Sequence, residues 1–377
     1  MSEEAAPRIS AGQFFWCAAA GMVAGGVFVW PTPLILSAGA DWAWALATDG
    51  VLVALTLGAQ LLWGERVTGK AMYGRLRTLW GPLAWPWMLG TSAVAVTIEA
   101  VLLDLFVDML QTFFFPATPA WPLRLLLAGI ALVLASQSLD TLARNIRTWF
   151  LLGLAGFAFM AALTAAQAST PAALRPPWPP AVTGVLAGVA GTWLFWNDDG
   201  GVALTLASYT RGATWSGARR WALGAAAFQL TTLAIITVVT LAVIGPWALQ
   251  TEVWPMLVLM VGAGPTSLSF LRPSLLILPV WTGAFVSYLA VHAYSLSLNT
   301  RAAVGAPPSA RRWHALAITA AVLIVAWQLP SAPVLSHLAI QDLGPLALGW
   351  GVALHGTSLA LATLRRLGRP RPVGQSS

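Results

Sequence analysis

What most limits the folds open to this chain is the recurrence of apolar runs long enough to cross a bilayer, with charge confined to the joints between them. A hydrocarbon core of roughly 30 Å needs about 20 apolar residues per helix. The sequence supplies runs of this kind ten times, over residues 14–36, 42–63, 85–113, 123–139, 149–166, 181–209, 221–247, 275–298, 313–329 and 343–364. Composition agrees, with 58% hydrophobic residues against 9% charged and a mean hydropathy of +0.75. The expected fold class is therefore all-α and integral to the membrane, with ten transmembrane helices. No joint is long enough for a second domain, so residues 1–377 read as a single transmembrane domain.

Charge placement sets the expected orientation. Taking the joints alternately, one side collects Arg8, Arg66, Lys70, Arg75, Arg77, Arg144, Arg147, Arg211, Arg219, Arg220, Arg301, Arg311, Arg312, Arg365, Arg366, Arg369 and Arg371, and the other only Arg124, Arg175 and Arg272. Seventeen of the twenty basic residues thus share a face. The bias of Lys and Arg toward cytoplasmic loops then puts both termini in the cytoplasm, as an even span count requires. The net charge of +7 is spread over every inner loop and does not line one surface, which argues against nucleic-acid binding. Trp42, Trp63, Trp85, Trp149, Trp221 and Trp313 fall at span ends, where indole rings sit at headgroup level. The N-terminal stretch carries Glu3 and Glu4 and lacks the basic start of a signal peptide, so the first span is expected to be retained. The single cysteine, Cys17, has no partner for an internal disulfide and reads as packing.

Spans one and six break the apolar pattern. Span one contains Gly21-Met22-Val23-Ala24-Gly25-Gly26 before Pro31 and Pro33, and span six contains Trp196-Asn197-Asp198-Asp199-Gly200-Gly201. Five spans separate the two breaks, the arrangement of two inverted five-helix repeats that each open on a discontinuous helix. Freed backbone groups are tolerated at membrane depth only where they line protein or a cavity, so the breaks predict a binding site at the bilayer midplane. Two plainer readings compete: glycines that only let helices pack closely, and a sixth helix that ends at Trp196 with Asp199 as a cap. The candidate ligand-binding residues are Gly21, Gly25, Gly26, Phe195, Asn197, Asp198 and Asp199. If span one resumes near Gly25 and Gly26, the exposed N–H groups there suit a carboxylate. Asp198 and Asp199 suit an ammonium group or cation, and a small zwitterion such as an amino acid satisfies both ends.

Other acids lie inside spans: Asp49 in the second, and Glu99, Asp104 and Asp108 in the third. A carboxylate at membrane depth is expensive unless protonated or paired, so each is a functional candidate. Glu99, Asp49 and Asp104 are the candidates for ion or proton coupling. Glu99 is nearest the midpoint of its span and reads either as a proton or cation site or as a buried structural acid. Asp108, near the outer end, reads as interfacial. Enzyme signals are weak. His337 and Asp342 have the His-x4-Asp spacing of some acyltransferases, but no partner motif accompanies them. There is no phosphate loop, nucleophile elbow or Cys/His metal cluster, so no cofactor or metal is expected.

Four short segments together resemble a known family. Ile9-Ser10-Ala11-Gly12-Gln13-Phe14-Phe15-Trp16, followed by the glycine-broken helix, Pro31 and Ala38-Gly39-Ala40-Asp41-Trp42-Ala43-Trp44, resembles the start of the spore germination permeases. These are the B subunits of GerA-type germinant receptors, in the amino acid–polyamine–organocation superfamily. Phe115-Pro116-Ala117-Thr118-Pro119-Ala120-Trp121, Leu142-Ala143-Arg144, and Phe270-Leu271-Arg272 leading to Trp281 resemble later segments in the same order. The resemblance implies a LeuT-type fold and the sensing of a small germinant, typically an amino acid, at the spore inner membrane. It also implies assembly with an A-type subunit and a lipoprotein C-type subunit. The chain departs from the family in span six, where Trp196-Asn197-Asp198-Asp199-Gly200 stands in place of a Phe-x-Gly-x-Glu-like turn. A proton- or sodium-coupled amino acid transporter is the alternative function.

Overall fold

The computed structural model describes residues 9–23, 29–165, 174–195, 201–211, 214–262 and 273–367. Over these residues the chain is helical and contains no β-strand, in keeping with the expected all-α class. The helices are α1 (Ala11–Val23), α2 (Pro31–Ala38), α3 (Trp42–Arg66), α4 (Ala71–Trp80), α5 (Ala84–Phe113), α6 (Ala120–Ala135), α7 (Leu139–Ala165) and α8 (Val182–Thr192). They continue as α9 (Val202–Ala207), α10 (Trp215–Ile244), α11 (Pro246–Thr251), α12 (Pro255–Gly262), α13 (Pro273–Ala303), α14 (Arg311–Trp327), α15 (Ala332–Leu338) and α16 (Gly344–Leu367).

Local chemistry sets the ends of these helices. Proline opens α2, α11 and α15, where its missing N–H is not needed. The Thr214 hydroxyl accepts the Gly217 N–H at 3.1 Å and starts α10. Thr214→Ala is therefore expected to destabilise the protein by about 1 kcal/mol, with Thr214→Ser close to wild type; denaturant titration in detergent micelles measures both. The helices also begin earlier than the apolar runs indicate. α7 starts at Leu139 and not at residue 149, because Asp140, Arg144 and Arg147 form a polar first part of the same helix.

Among the described residues, three segments are long and apolar enough to cross a membrane by length and composition: Pro31–Arg66, Trp215–Ile244 and Ala332–Arg366. Ala120–Ala135 and Val182–Phe195 are apolar but shorter. The distribution of side chains fits a lipid solvent. Leu55, Leu126, Val133, Ile324 and Leu364 are more than half exposed, whereas Asp49, Gln60, Gln229, His292, Asn299 and Ser297 are buried. Polar groups turned inward under an apolar exterior are what a bilayer selects.

The packing runs in crossed pairs. α1 lies against α9, and α2 lies against α8; α10 and α7 flank α1, while α3 holds α8, α10 and α16. α13 runs through the centre, touching α1, α4, α5, α6, α7, α9 and α14. Stacked Phe106 and Phe285 rings, with centroids 4.2 Å apart, join α5 to α13. An isolated backbone bridge ties the residue before α1 to the turn after α9: Ile9 N–H donates to Tyr209 O at 3.0 Å, and Arg211 N–H donates to Ile9 O at 2.7 Å. On the same side Gln13 donates to Asp140 at 2.7 Å. That bond, with Arg144 beside it, holds the Asp140 carboxyl below its ordinary range. Arg75 of α4 is buried and donates to the carbonyls of Gly64 and Val67 while its guanidinium lies over the Trp215 ring. Burial lowers it to about 10, so it stays charged at neutral pH.

Candidate functional site

The two segments singled out as breaks meet in the structure at their described ends. A Cβ built on Gly21, near the end of α1, would lie 3.2 Å from the Val202 side chain at the start of α9. Only hydrogen fits that seam without displacement. Gly201, just before α9, adopts φ +62° and ψ +35°, a left-handed conformation that glycine takes without steric penalty. Ala19 O, two residues before Gly21, accepts the Gln229 side-chain N–H at 2.6 Å, which pins α1 to α10. Asn299 of α13 donates to Thr205 Oγ1 of α9 at 3.0 Å and accepts the Tyr73 N–H of α4 at 3.0 Å. The helices around the breaks are thus held by buried hydrogen bonds from α10 and α13, the latter itself tied to α4.

Glu99 and His292 lie beside this junction. The His292 ring stands 2.8 Å from Gly21 O through Nε2, and its Nδ1 is 3.9 Å from Glu99 Oε1. The Tyr288 ring is 4.6 Å from the imidazole. Of the expected site residues, Gly21 and Glu99 are therefore brought together, through a histidine that the sequence reading did not single out. Phe195 is buried in the short turn Trp193–Phe195, which packs beside α16. Asp49 lies apart on α3, its carboxylate 2.6 Å from the Thr192 hydroxyl of α8. Asp104 is bound by Arg124 of α6, whose Nε donates at 2.8 Å, and Asp108 accepts a hydrogen bond from the Trp254 side chain. Gly25, Gly26, Asn197, Asp198 and Asp199 lie outside the described residues.

The N–H groups expected near Gly25 and Gly26 to face a carboxylate lie outside the described residues. Helix α2 begins at Pro31, and its first turn has no spare donors for a carboxylate. Pro31 and Pro33 have no N–H, Thr32 N–H donates to Val29 O at 3.1 Å, and Leu34 N–H donates to Trp30 O at 3.4 Å. Two cavities open elsewhere. One of about 550 Å³ is lined by Glu65, Arg66, Arg219 and Arg365, and a largely apolar one of about 730 Å³ by Leu110, Leu127, Trp149 and Val286. Neither includes a candidate site residue. Among the described residues no group of three or more His, Cys, Asp or Glu is placed to hold a metal.

Residues 8–333 match the family model described as spore germination protein. The chain belongs to the spore germination permease family. No curated protein sequence matches it. Among solved structures, that of MhsT in complex with L-phenylalanine superposes with a TM-score of 0.67 at 12% identity, covering 96% of this chain and 99% of that one. The substrate-bound outward-open state of a Na⁺-coupled sialic acid symporter gives a TM-score of 0.63 at 12% identity, covering 95% and 79%. At that identity the likeness shows the fold, which is helical and of the LeuT type, as the resemblance implied. The family and these neighbours are permease- and transporter-type membrane proteins, not enzymes. His337 and Asp342 of this spore germination permease lie beyond the matched residues, in α15 and the turn that follows it.

Proposed function

We propose that this protein is the permease-like subunit of a spore germinant receptor, sensing a small germinant of the amino acid class at the bilayer midplane. The observation that carries this reading is the crossed packing of α1 on α9 and α2 on α8, with Gly21 closed on Val202. It supports a ten-span arrangement of two inverted five-helix repeats, with the sequences Gly21–Gly26 and Trp196–Gly201 as the breaks in spans one and six. Gly25 and Gly26 let backbone approach the ligand, with Gly21 and Phe195 bounding the site. Asp198 and Asp199 receive the ammonium end, and Asn197 supplies an amide. The N–H groups for the carboxylate are those near Gly25 and Gly26. Glu99 is the first coupling group, and Asp49 and Asp104 are further ones. The subunit acts in the spore inner membrane among membrane lipids, with both termini cytoplasmic and with A-type and lipoprotein C-type partners. The buried Glu99 also favours a second reading, a self-sufficient proton- or sodium-coupled amino acid transporter.

Ligand-dependent stabilisation tests the reading. A ligand that binds only the native state stabilises it by about 2.7 kcal/mol at a hundredfold excess over Kd. Thermal unfolding of the purified protein against the twenty amino acids, nucleosides and simple sugars is expected to shift with one or a few amino acids. The shift should vanish in Gly25→Leu and weaken in Asp198→Asn. Absence of a shift with every compound, both alone and in complex with A- and C-type subunits, would overturn the proposal. Uptake by the isolated subunit in liposomes would favour the transporter.

A further inference from the structure

Glu99 of α5 and His292 of α13 are each 2% exposed, and two of their polar atoms have no hydrogen-bond partner: Glu99 Oε1 and His292 Nδ1, facing each other 3.9 Å apart. The other ring nitrogen fixes the chemistry. Nε2 is 2.8 Å from the Gly21 carbonyl oxygen, and a carbonyl only accepts, so Nε2 carries the hydrogen. In the neutral ring Nδ1 is then a bare lone pair pointed at a carboxyl oxygen. An ionised Glu99 beside it would set two acceptors against each other with no donor between, which buried polar groups avoid. One proton between the atoms resolves the conflict. As imidazolium and carboxylate, the pair would hold two charges at membrane depth; as carboxylic acid and imidazole it holds none.

We propose that Glu99 and His292 form a proton-binding site, in which a protonated Glu99 carboxyl closes the 3.9 Å gap to hydrogen-bond length and donates to His292 Nδ1, while the imidazole Nε2–H donates to the Gly21 carbonyl at the end of α1. The proton thereby clamps α5 and α13 to the end of α1. Release of the proton sets the carboxylate against the Nδ1 lone pair and loosens the hold on Gly21. This deepens the proposed function and rests on it in one respect, that the chain beyond Gly21 belongs to the ligand site. Several charged groups on the surrounding helices are engaged with their own partners, while Arg301 near the end of α13 keeps a buried Nε without one among the described residues. Arg124 of α6 binds Asp104, Arg311 of α14 donates to Ala135 O, Arg75 of α4 donates to backbone carbonyls, and Arg144 of α7 binds Asp140. Tyr288 stands beside the imidazole, while Tyr294, further along α13, lies under Arg311.

The test is infrared difference spectroscopy of the full-length protein at neutral pH, without ligand, comparing wild type with Glu99→Gln. The expected difference spectrum contains the C=O stretch of one protonated carboxylic acid, and nitrogen NMR of labelled histidine shows His292 protonated on Nε2 alone. A carboxylate band in place of the acid band overturns the proposal, as does a carboxylate band that moves on exchange of sodium for potassium, which would make the site a cation site. Unfolding rates test the clamp. A glutamine amide can donate in the acid's place, so Glu99→Gln is expected within about twofold of wild type and Glu99→Ala about tenfold faster. Equal acceleration in both overturns the clamp. The infrared result needs no germinant, so a protonated Glu99 in a protein that binds no amino acid would sink the germinant reading alone.

Discussion

Replacing Arg124 by leucine is expected to destabilise the protein by about 3 kcal/mol or more, the usual consequence of stranding one member of a buried ion pair. Arg124 of α6 and Asp104 of α5 have side chains only 17% and 9% exposed, and both guanidinium contacts fall on Asp104 Oδ1. Asp104→Leu alone should also destabilise, because it strands the guanidinium. The double replacement Asp104→Leu with Arg124→Leu should recover most of the loss, since two apolar side chains leave no charge to desolvate. Denaturant unfolding of the four proteins in micelles gives the coupling energy. Additive losses would show that the two groups do not stabilise one another.

The helices were legible because a bilayer leaves little choice: a run of about 20 apolar residues must satisfy its own backbone, and only a helix does so within one segment. Residues 85–113 coincide almost wholly with α5 (Ala84–Phe113), and 343–364 with α16 (Gly344–Leu367). What the sequence hides is pairing between distant segments. Asp104 and Asp108 look alike four residues apart, yet one meets an arginine of α6 and the other a tryptophan that precedes α12. Arg75 sits in a polar joint as one of seventeen basic residues counted on one side, but it is 6% exposed and holds α4 against the end of α3. His292 escapes a reading that weighs only acids as ionisable groups inside spans. A histidine within the run 275–298 is the same kind of signal, and it is the residue that joins Glu99 to Gly21. The two proline donors missing from α2 are also evident in the sequence. Their consequence appears only once α2 is seen to begin at Pro31.

Gly21→Val is expected to abolish the amino acid-dependent stabilisation altogether and to lower stability by about 1–3 kcal/mol, the range for overpacking a filled seam. The added Cβ would stand 3.2 Å from Val202 Cβ and 3.3 Å from both of its methyl groups, so neither rotamer of Val202 nor a small shift of one methyl relieves it. α1 and α9 must separate. Separation moves the Gly21 carbonyl away from His292 and disturbs the residues that follow Gly21 in the proposed site. A purely structural defect and a site defect differ in what rescues them. The exchange Gly21→Val with Val202→Gly conserves volume across the seam and leaves the number of helical glycines unchanged, so it should recover a good part of the packing loss. If the junction only holds helices together, ligand-dependent stabilisation returns with the packing. If the position of the Gly21 carbonyl matters in itself, the exchanged protein should regain stability yet bind more weakly than wild type in proportion to its remaining distortion. Full stabilisation in Gly21→Val itself would show that the α1–α9 seam plays no part in recognising the ligand, and the midplane site would have to be sought elsewhere in the fold.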